Sequence, residues 1–397
     1  MISLITQYFN LNKILLQAIG LWPFQQTILV QLQFTLLSGI LTAAIISQTN
    51  SYCLQLTTFI TSKCTPQCII KHLSIALALI VALTKYVSFY VHIKPMKELL
   101  IQLQYISNEL KEKKEIAIME KYGSNARCYT VILTSFGVLS LSALLLKQCW
   151  SSILDNIVYN NISRPYHLQI KMEYFVNQKK YFYFILFHLN IAICIGIIIT
   201  AATGTMFIAY FQYTCGMFMI ASFRIERAME NNKLQDINNK HFILIGLSRA
   251  IEMHRQAMKL CDLLICRFDT MYFCLIVFGV TCLSLNLLQI FQTIASGDIQ
   301  EFVLSIILVV ICTLYMFVAN LVGQEIIDQN NEVYVTVYNV QWYKAPLHIQ
   351  KIILFLLQRG VKSFTLTIGG LFDASFECLA TLVKASVSYF TVLYSTR

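Results

Sequence analysis

Charge is scarce in this chain. Asp, Glu, Lys and Arg make up 13% of its 397 residues, where a soluble domain carries roughly 25%. Hydrophobic residues make up 57%, and mean hydropathy is +0.63. Folding alone cannot hide that much apolar surface from water, so the composition excludes a soluble globular class and expects a bilayer. Proline is scarce as well. Pro23, Pro66, Pro95, Pro165 and Pro346 all lie outside the long apolar runs, so no span need be kinked by proline. The start, MISLITQYFNLNKILL, lacks the charged opening, compact apolar core and small-residue cleavage site of a signal peptide. The first span is therefore expected to insert without cleavage.

Chemistry-bearing clusters are missing too. The thirteen cysteines form no CxxC pair and have no histidines at zinc spacing. The seven histidines form no HxxxH or HExxH cluster, and no paired carboxylates sit beside them. Neither an enzyme nor a metal or other cofactor is expected. Most cysteines sit in apolar runs as small packing residues. Cys53, Cys64, Cys68 and Cys149 lie near the side assigned below as outer, and a disulfide among them stays open.

What is present is a series of apolar runs. Seven are long enough to span a bilayer, at about 28–48, 68–92, 128–147, 183–211, 270–292, 301–322 and 366–393. The fold class expected is an all-α membrane protein built as one seven-span domain over residues 1–397. PLHIQKIILFLLQRG (346–360) is too short to span. It reads as an amphipathic helix with Pro346 near its start and Gly360 just past its end.

The net charge is +10. Its basic residues concentrate in alternate loops, which fits cytoplasmic loops better than a nucleic-acid-binding face, and no nucleic-acid partner is expected. One set of loops holds Lys94, Lys97, Lys111, Lys113, Lys114, Lys121 and Arg127, then Arg224 to Arg267, then Lys344 to Lys362. The other set holds Lys63, Arg164, Lys171, Lys179 and Lys180. That imbalance places the N-terminus in the cytoplasm and the C-terminus outside. Asn161-Ile-Ser163, a glycosylation sequon in the 148–180 loop, points the same way and makes Asn161 a candidate glycan site. The inner loops carry helical apolar stripes: Met96, Leu99, Leu100, Leu103, Ile106 and Leu110, then Leu244, Leu247, Ile251, Met258, Cys261 and Ile265. They predict a helical cytoplasmic layer, packed either against other subunits or within one chain.

The last span is the most distinctive. Read as a helix from about Leu371, it places Asp373, Glu377, Thr381, Lys384, Ser388, Thr391 and Ser395 at steps of three and four. At 100° per residue they fall in an arc of roughly 80°. A membrane-length helix with one polar stripe faces water or a partner helix along that face. Asp373 and Glu377, one turn apart, are candidates for a cation-attracting vestibule or for a structural pairing with Lys384 or an inner-loop basic residue.

Several segments together resemble the insect odorant receptor family. NKILLQAIGLWP (12–23) is similar to the family's lead into its first span. Trp342-Tyr343, LTIGGLF (366–372), Phe376-Glu377 and Ser388-Tyr389-Phe390 are similar to its C-terminal signature region. The resemblance implies an odorant-gated cation channel of four subunits around one pore. This chain would be a tuning subunit assembled with the odorant receptor co-receptor in the cell membrane of a sensory neuron dendrite. It lacks the co-receptor's long second intracellular insertion, and its ending YFTVLYSTR differs from the co-receptor's YFMVLVQLK. Aligning those endings places Val392 and Thr396 at the family's gate positions and Ser395 in the narrow pore, with Ser388 and Thr391 along the same wall. Val392 lies roughly 60° from the centre of the stripe.

The family also implies a site for a small volatile in the outer half of the bundle. An apolar, aromatic pocket with one or two polar groups fits such a ligand. The candidates are Leu77, Val81, Ser140, Leu144, Phe184, Phe187, His188, Ile191 and Phe291. Rival readings stay distinguishable. A G-protein-coupled receptor needs the opposite orientation, and no DRY-like or NPxxY-like element stands where one is required. A gustatory-type channel shares the topology, but its TYhhhhhQF ending (h, hydrophobic) is absent.

Overall fold

The computed structural model describes residues 8–25, 27–59, 66–158, 181–230, 240–297, 299–361 and 364–395. Ten α-helices lie among them: α1 (Asn10–Ala18), α2 (Ile28–Phe59), α3 (Pro66–Val91), α4 (Ile93–Glu109), α5 (Lys113–Val158), α6 (Phe182–Ala228), α7 (Lys240–Ser296), α8 (Ile299–Asn339), α9 (Leu347–Gly360) and α10 (Phe376–Ser395). Seven are long and apolar enough to cross a membrane: α2, α3, α5, α6, α7, α8 and α10. The all-α expectation and the seven spans agree with this architecture.

Length explains the second layer. Helices α5, α6, α7 and α8 run 46, 47, 57 and 41 residues. At 1.5 Å per residue they reach about 60–85 Å, twice or more the ~30 Å hydrocarbon thickness. Their surplus lies at the end opposite the Gly297 turn that joins α7 to α8, and there α4 and α9 pack on it. The apolar stripe of α4 is buried inside this one chain, with Met96, Leu99, Leu100, Leu103, Ile106 and Leu110 all 6% exposed or less. Leu247, Cys261 and Ile265 of α7 are buried likewise, whereas Leu244 remains exposed. Tyr210 on α6 donates to the Met96 carbonyl at 2.9 Å, which ties α4 to the bundle. Arg224 of α6 pairs with Glu115 of α5 at 2.6 Å in the same layer.

An aromatic hub joins α3, α6 and α7. Phe89, Phe207 and Phe268 lie 4.8–5.3 Å apart, centroid to centroid, and Tyr272 adds a fourth ring at 5.3 Å from Phe207. Buried aromatics of this size supply large apolar area and specific edge contacts. Lys85, halfway along a span, does not reach for the membrane surface. It is 1% exposed and its ammonium lies 4.0 Å from the Tyr315 ring centroid.

The start of the last span departs from expectation. The helix begins at Phe376 rather than near Leu371. The residues before it form an antiparallel hairpin of β1 (Thr367–Ile368) and β2 (Phe372–Asp373), paired Thr367↔Asp373 and Ile368↔Phe372. Gly369 and Gly370 have φ of 61° and 65°, a left-handed pair that glycine adopts freely. Asp373 is therefore on a strand, and it does not stand one helical turn from Glu377. In α9, Gly360 is the last helical residue rather than the one beyond it. Its missing Cβ leaves room for the Tyr334 ring.

Candidate functional site

The hairpin is what aims the last helix. Gly369 N–H donates to the Asp269 carboxylate of α7 at 2.6 Å. On the other side, Ala374 sits so close to Gly323 of α8 that a Cβ there would stand 2.5 Å from Ala374 Cβ. The chain then turns into α10 with three polar supports. Ser375 N–H donates to Asn320 Oδ1 at 3.3 Å, and Phe376 N–H to Gln324 Oε1 at 3.4 Å. Ser375 Oγ accepts from Cys378 N–H at 3.2 Å, capping the helix. The segment 366–376 is thus clamped between α7 and α8 before α10 begins.

One face of α10 is buried: Cys378, Leu382 and Ser386. Cys378 and Leu382 pack with Val280, Leu283 and Met316, and Ser284 of α7 donates to the Ser386 carbonyl at 2.9 Å. Apart from Ser386, the polar residues lie elsewhere. Glu377, Thr381, Lys384, Ser388, Thr391 and Ser395 are all exposed. At 100° per residue their mean direction is roughly 140° from the buried face. Thr381, Thr391 and Ser395 also bond back to carbonyls within their own helix at 2.7–3.0 Å. This costs no partner and leaves hydroxyl oxygens outward. Val392 is 55% exposed on the same broad side. Thr396 lies outside the described residues, as does Asn161.

Asp373 accepts from Thr367 Oγ1 at 2.6 Å across the hairpin. Its carboxylate braces the hairpin, and Glu377 stands on the helix beyond it. The two remain at one end of α10, but on different elements.

The nine ligand candidates do not converge. Leu77 is buried with Leu285 and Leu288 of α7, where Phe390 of α10 packs. The Phe291 ring lies 4.9 Å from Phe390, tilted by 30°, and 5.9 Å from Tyr394. This places Leu77 and Phe291 along the α7–α10 seam. His188 turns the other way and hydrogen-bonds to the backbone at Ile40 of α2. Phe184 and Phe187, on the same helix, point outward and are 74% and 65% exposed. Ile191 packs against the main core. Val81 and Leu144 are half-buried. Ser140, also half-buried, bonds to the Phe136 carbonyl of its own helix at 2.8 Å. The side chains of Cys53, Cys68 and Cys149, and all of Cys64, lie outside the described residues.

Two features escaped the sequence. A polar seam crosses α5, α6 and α8: Tyr129 donates to Glu325 at 3.0 Å, Gln212 donates to the same carboxylate, and Tyr122 donates to Gln329 at 2.9 Å. Its members sit far apart in sequence, on helices whose facing could not be known. The second is a cavity of about 270 Å³ among the same three helices, walled by Tyr122, Met219 and Phe223, with Lys121, Glu226 and Glu332 also lining it. It lies in the extended layer, away from the expected ligand region.

Comparison with known proteins bears on what the bundle does. A family model described as 7tm Odorant receptor matches residues 65–387. The fold is similar to a solved structure of the insect olfactory receptor OR5 from Machilis hrabei in complex with eugenol. That similarity has a TM-score of 0.79 at 14% identity, covering 98% of both chains. A second structure of OR5 from Machilis hrabei gives a TM-score of 0.74, with the same identity and coverage. No curated protein matches by sequence.

Proposed function

Because the chain belongs to the 7tm odorant receptor family, we propose that this multi-pass membrane protein is a ligand-gated cation-channel subunit whose last helix lines the pore. The single observation carrying the proposal is the division of α10. One face is buried on α7, while the exposed polar residues gather roughly 140° away. A water-filled path supports such a stripe, and a lipid-facing helix does not. Hydroxyls at Ser388, Thr391 and Ser395 suit a hydrated cation, and the apolar Val392 suits a gate that closes by dewetting. Glu377, with Asp373 nearby on the hairpin, adds negative charge at one mouth.

In this proposal the N-terminus is cytoplasmic and the C-terminus external. The extended layer, α4 and α9 with the surplus ends of α5 to α8, lies inside, and the chain assembles with the odorant receptor co-receptor. The ligand is a small volatile. The Leu77–Phe291–Phe390 seam is the favoured part of its site, because Phe390 of α10 packs against the cluster that holds Leu77 and lies ring to ring with Phe291.

Co-expression with the co-receptor, followed by a panel of volatiles under voltage clamp, tests this. The expected result is an odorant-evoked, non-selective cation current. Surface expression without current for any volatile would refute it. Epitope tags read on intact cells test the orientation, and an external N-terminus would overturn it.

A further inference from the structure

The bundle holds two thiols that neither the pore nor the ligand site uses. Cys282 of α7 and Cys312 of α8 face each other with their sulfurs 3.7 Å apart. Asn286 Nδ2 lies 3.3 Å from Cys282 Sγ and donates at 2.8 Å to Ser74 Oγ of α3. Ser74 Oγ is itself 3.8 Å from Cys282 Sγ. Cys282, Ser74 and Asn286 are all buried, Asn286 completely. The Asn286 carboxamide oxygen is buried with no hydrogen-bond partner among the described residues. Three helices thus bring two thiols, a hydroxyl and a buried carboxamide to one point.

We propose that Cys282 and Cys312 form a two-thiolate site for a divalent soft cation of the zinc and cadmium class, with the Ser74 hydroxyl as a neutral oxygen donor held in place by the Asn286 amide. The spacing supports this. With a metal–sulfur bond of about 2.3 Å and a tetrahedral angle, two thiolates on one ion stand about 3.8 Å apart. A linear two-coordinate ion with bonds of that length would need about 4.6 Å. Charge agrees with spacing. Two thiolates and one divalent ion are neutral together, whereas a monovalent ion would leave a net negative charge in a low-dielectric bundle. Softness agrees as well, since thiolates select such ions over magnesium or calcium. On binding, each S–H gives up its proton to solvent and each sulfur forms one bond to the metal.

A bound ion would staple α7 to α8 at the level where Ser284 holds the Ser386 carbonyl of α10. The site does not depend on the channel proposal.

The test is Cd²⁺ alone, titrated into the full-length protein, or into its complex with the co-receptor if the two must be purified together. Ultraviolet thiolate-to-cadmium absorption and bound equivalents are read. Wild type should bind one more equivalent per chain than C282S or C312S. C266S, which removes an exposed thiol on α7, should keep that equivalent. Equal binding in wild type and either serine variant would overturn the proposal. If a serine variant fails to fold, native mass spectrometry of the wild type decides. The expected gain is one cadmium with loss of two protons, and no such species overturns it.

Discussion

Replacing Gly323 with alanine should loosen the last helix without touching it. A Cβ at position 323 would stand 2.5 Å from Ala374 Cβ and 2.8 Å from the Ala374 carbonyl carbon. Carbon atoms rest at about 3.5–4.0 Å, so the hairpin end must retreat by about 1 Å. Overpacking of this kind costs about 1–3 kcal/mol. At 1.4 kcal/mol per factor of ten, the folded population falls about 5- to 150-fold relative to unfolded. The retreat also strains two hydrogen bonds that are already long, Ser375 N–H to Asn320 at 3.3 Å and Phe376 N–H to Gln324 at 3.4 Å. Thermal unfolding of the purified protein should show the lower stability. Hydrogen exchange should accelerate across 366–378. Adding Ala374→Gly removes the Cβ clash but keeps the backbone one, so the double variant should recover only part of the loss. A Gly323→Ala protein as stable as wild type, with unchanged exchange at 366–378, would refute the clamp.

Three further perturbations follow from the same contacts. Asp269→Ala removes the charged acceptor of Gly369 N–H, which costs about 1.5–3 kcal/mol. Exchange at the Gly369 amide should rise, and unchanged protection would count against the bond. Lys85→Met should be neutral or stabilising in a melting assay. The buried ammonium has no hydrogen-bond partner among the described residues, and a buried charge without one is costly. A clear loss would show that its contact with the Tyr315 ring outweighs desolvation. Val392→Ala should change basal leak or permeation and leave the rank order of odorants intact. An altered rank order would move position 392 from the pore to the ligand site.

The long elements were legible because their signal repeats. The α4 stripe from Met96 to Leu110 repeats an apolar residue every three or four positions over four turns, and every member is buried. The polar stripe Glu377, Thr381, Lys384, Ser388, Thr391 and Ser395 of α10 repeats in the same way, and each of its members is exposed. The hairpin was missed because its signal is local. Asp373 falls in register with Glu377 by helical spacing, and that coincidence outweighed the Gly369-Gly370 turn signal lying between apolar runs. The ligand candidates scattered for a different reason. Phe184, Phe187 and His188 share one apolar helix, and nothing in their order tells which side a neighbour will cover. His188 meets α2 while both phenylalanines face outward. Contacts between helices, such as Cys282 with Cys312, follow from crossing geometry that no single segment encodes.

A cysteine-accessibility scan of α10, made in the co-expressed channel with and without odorant, is the most direct measurement of the pore proposal. Charged thiol reagents should alter the current at 381, 384, 388 and 391 during odorant application. They should spare 382 and 386, which are buried against α7. Modification that follows the buried face, or that ignores helical period altogether, would contradict a pore lined by the polar side of the last helix.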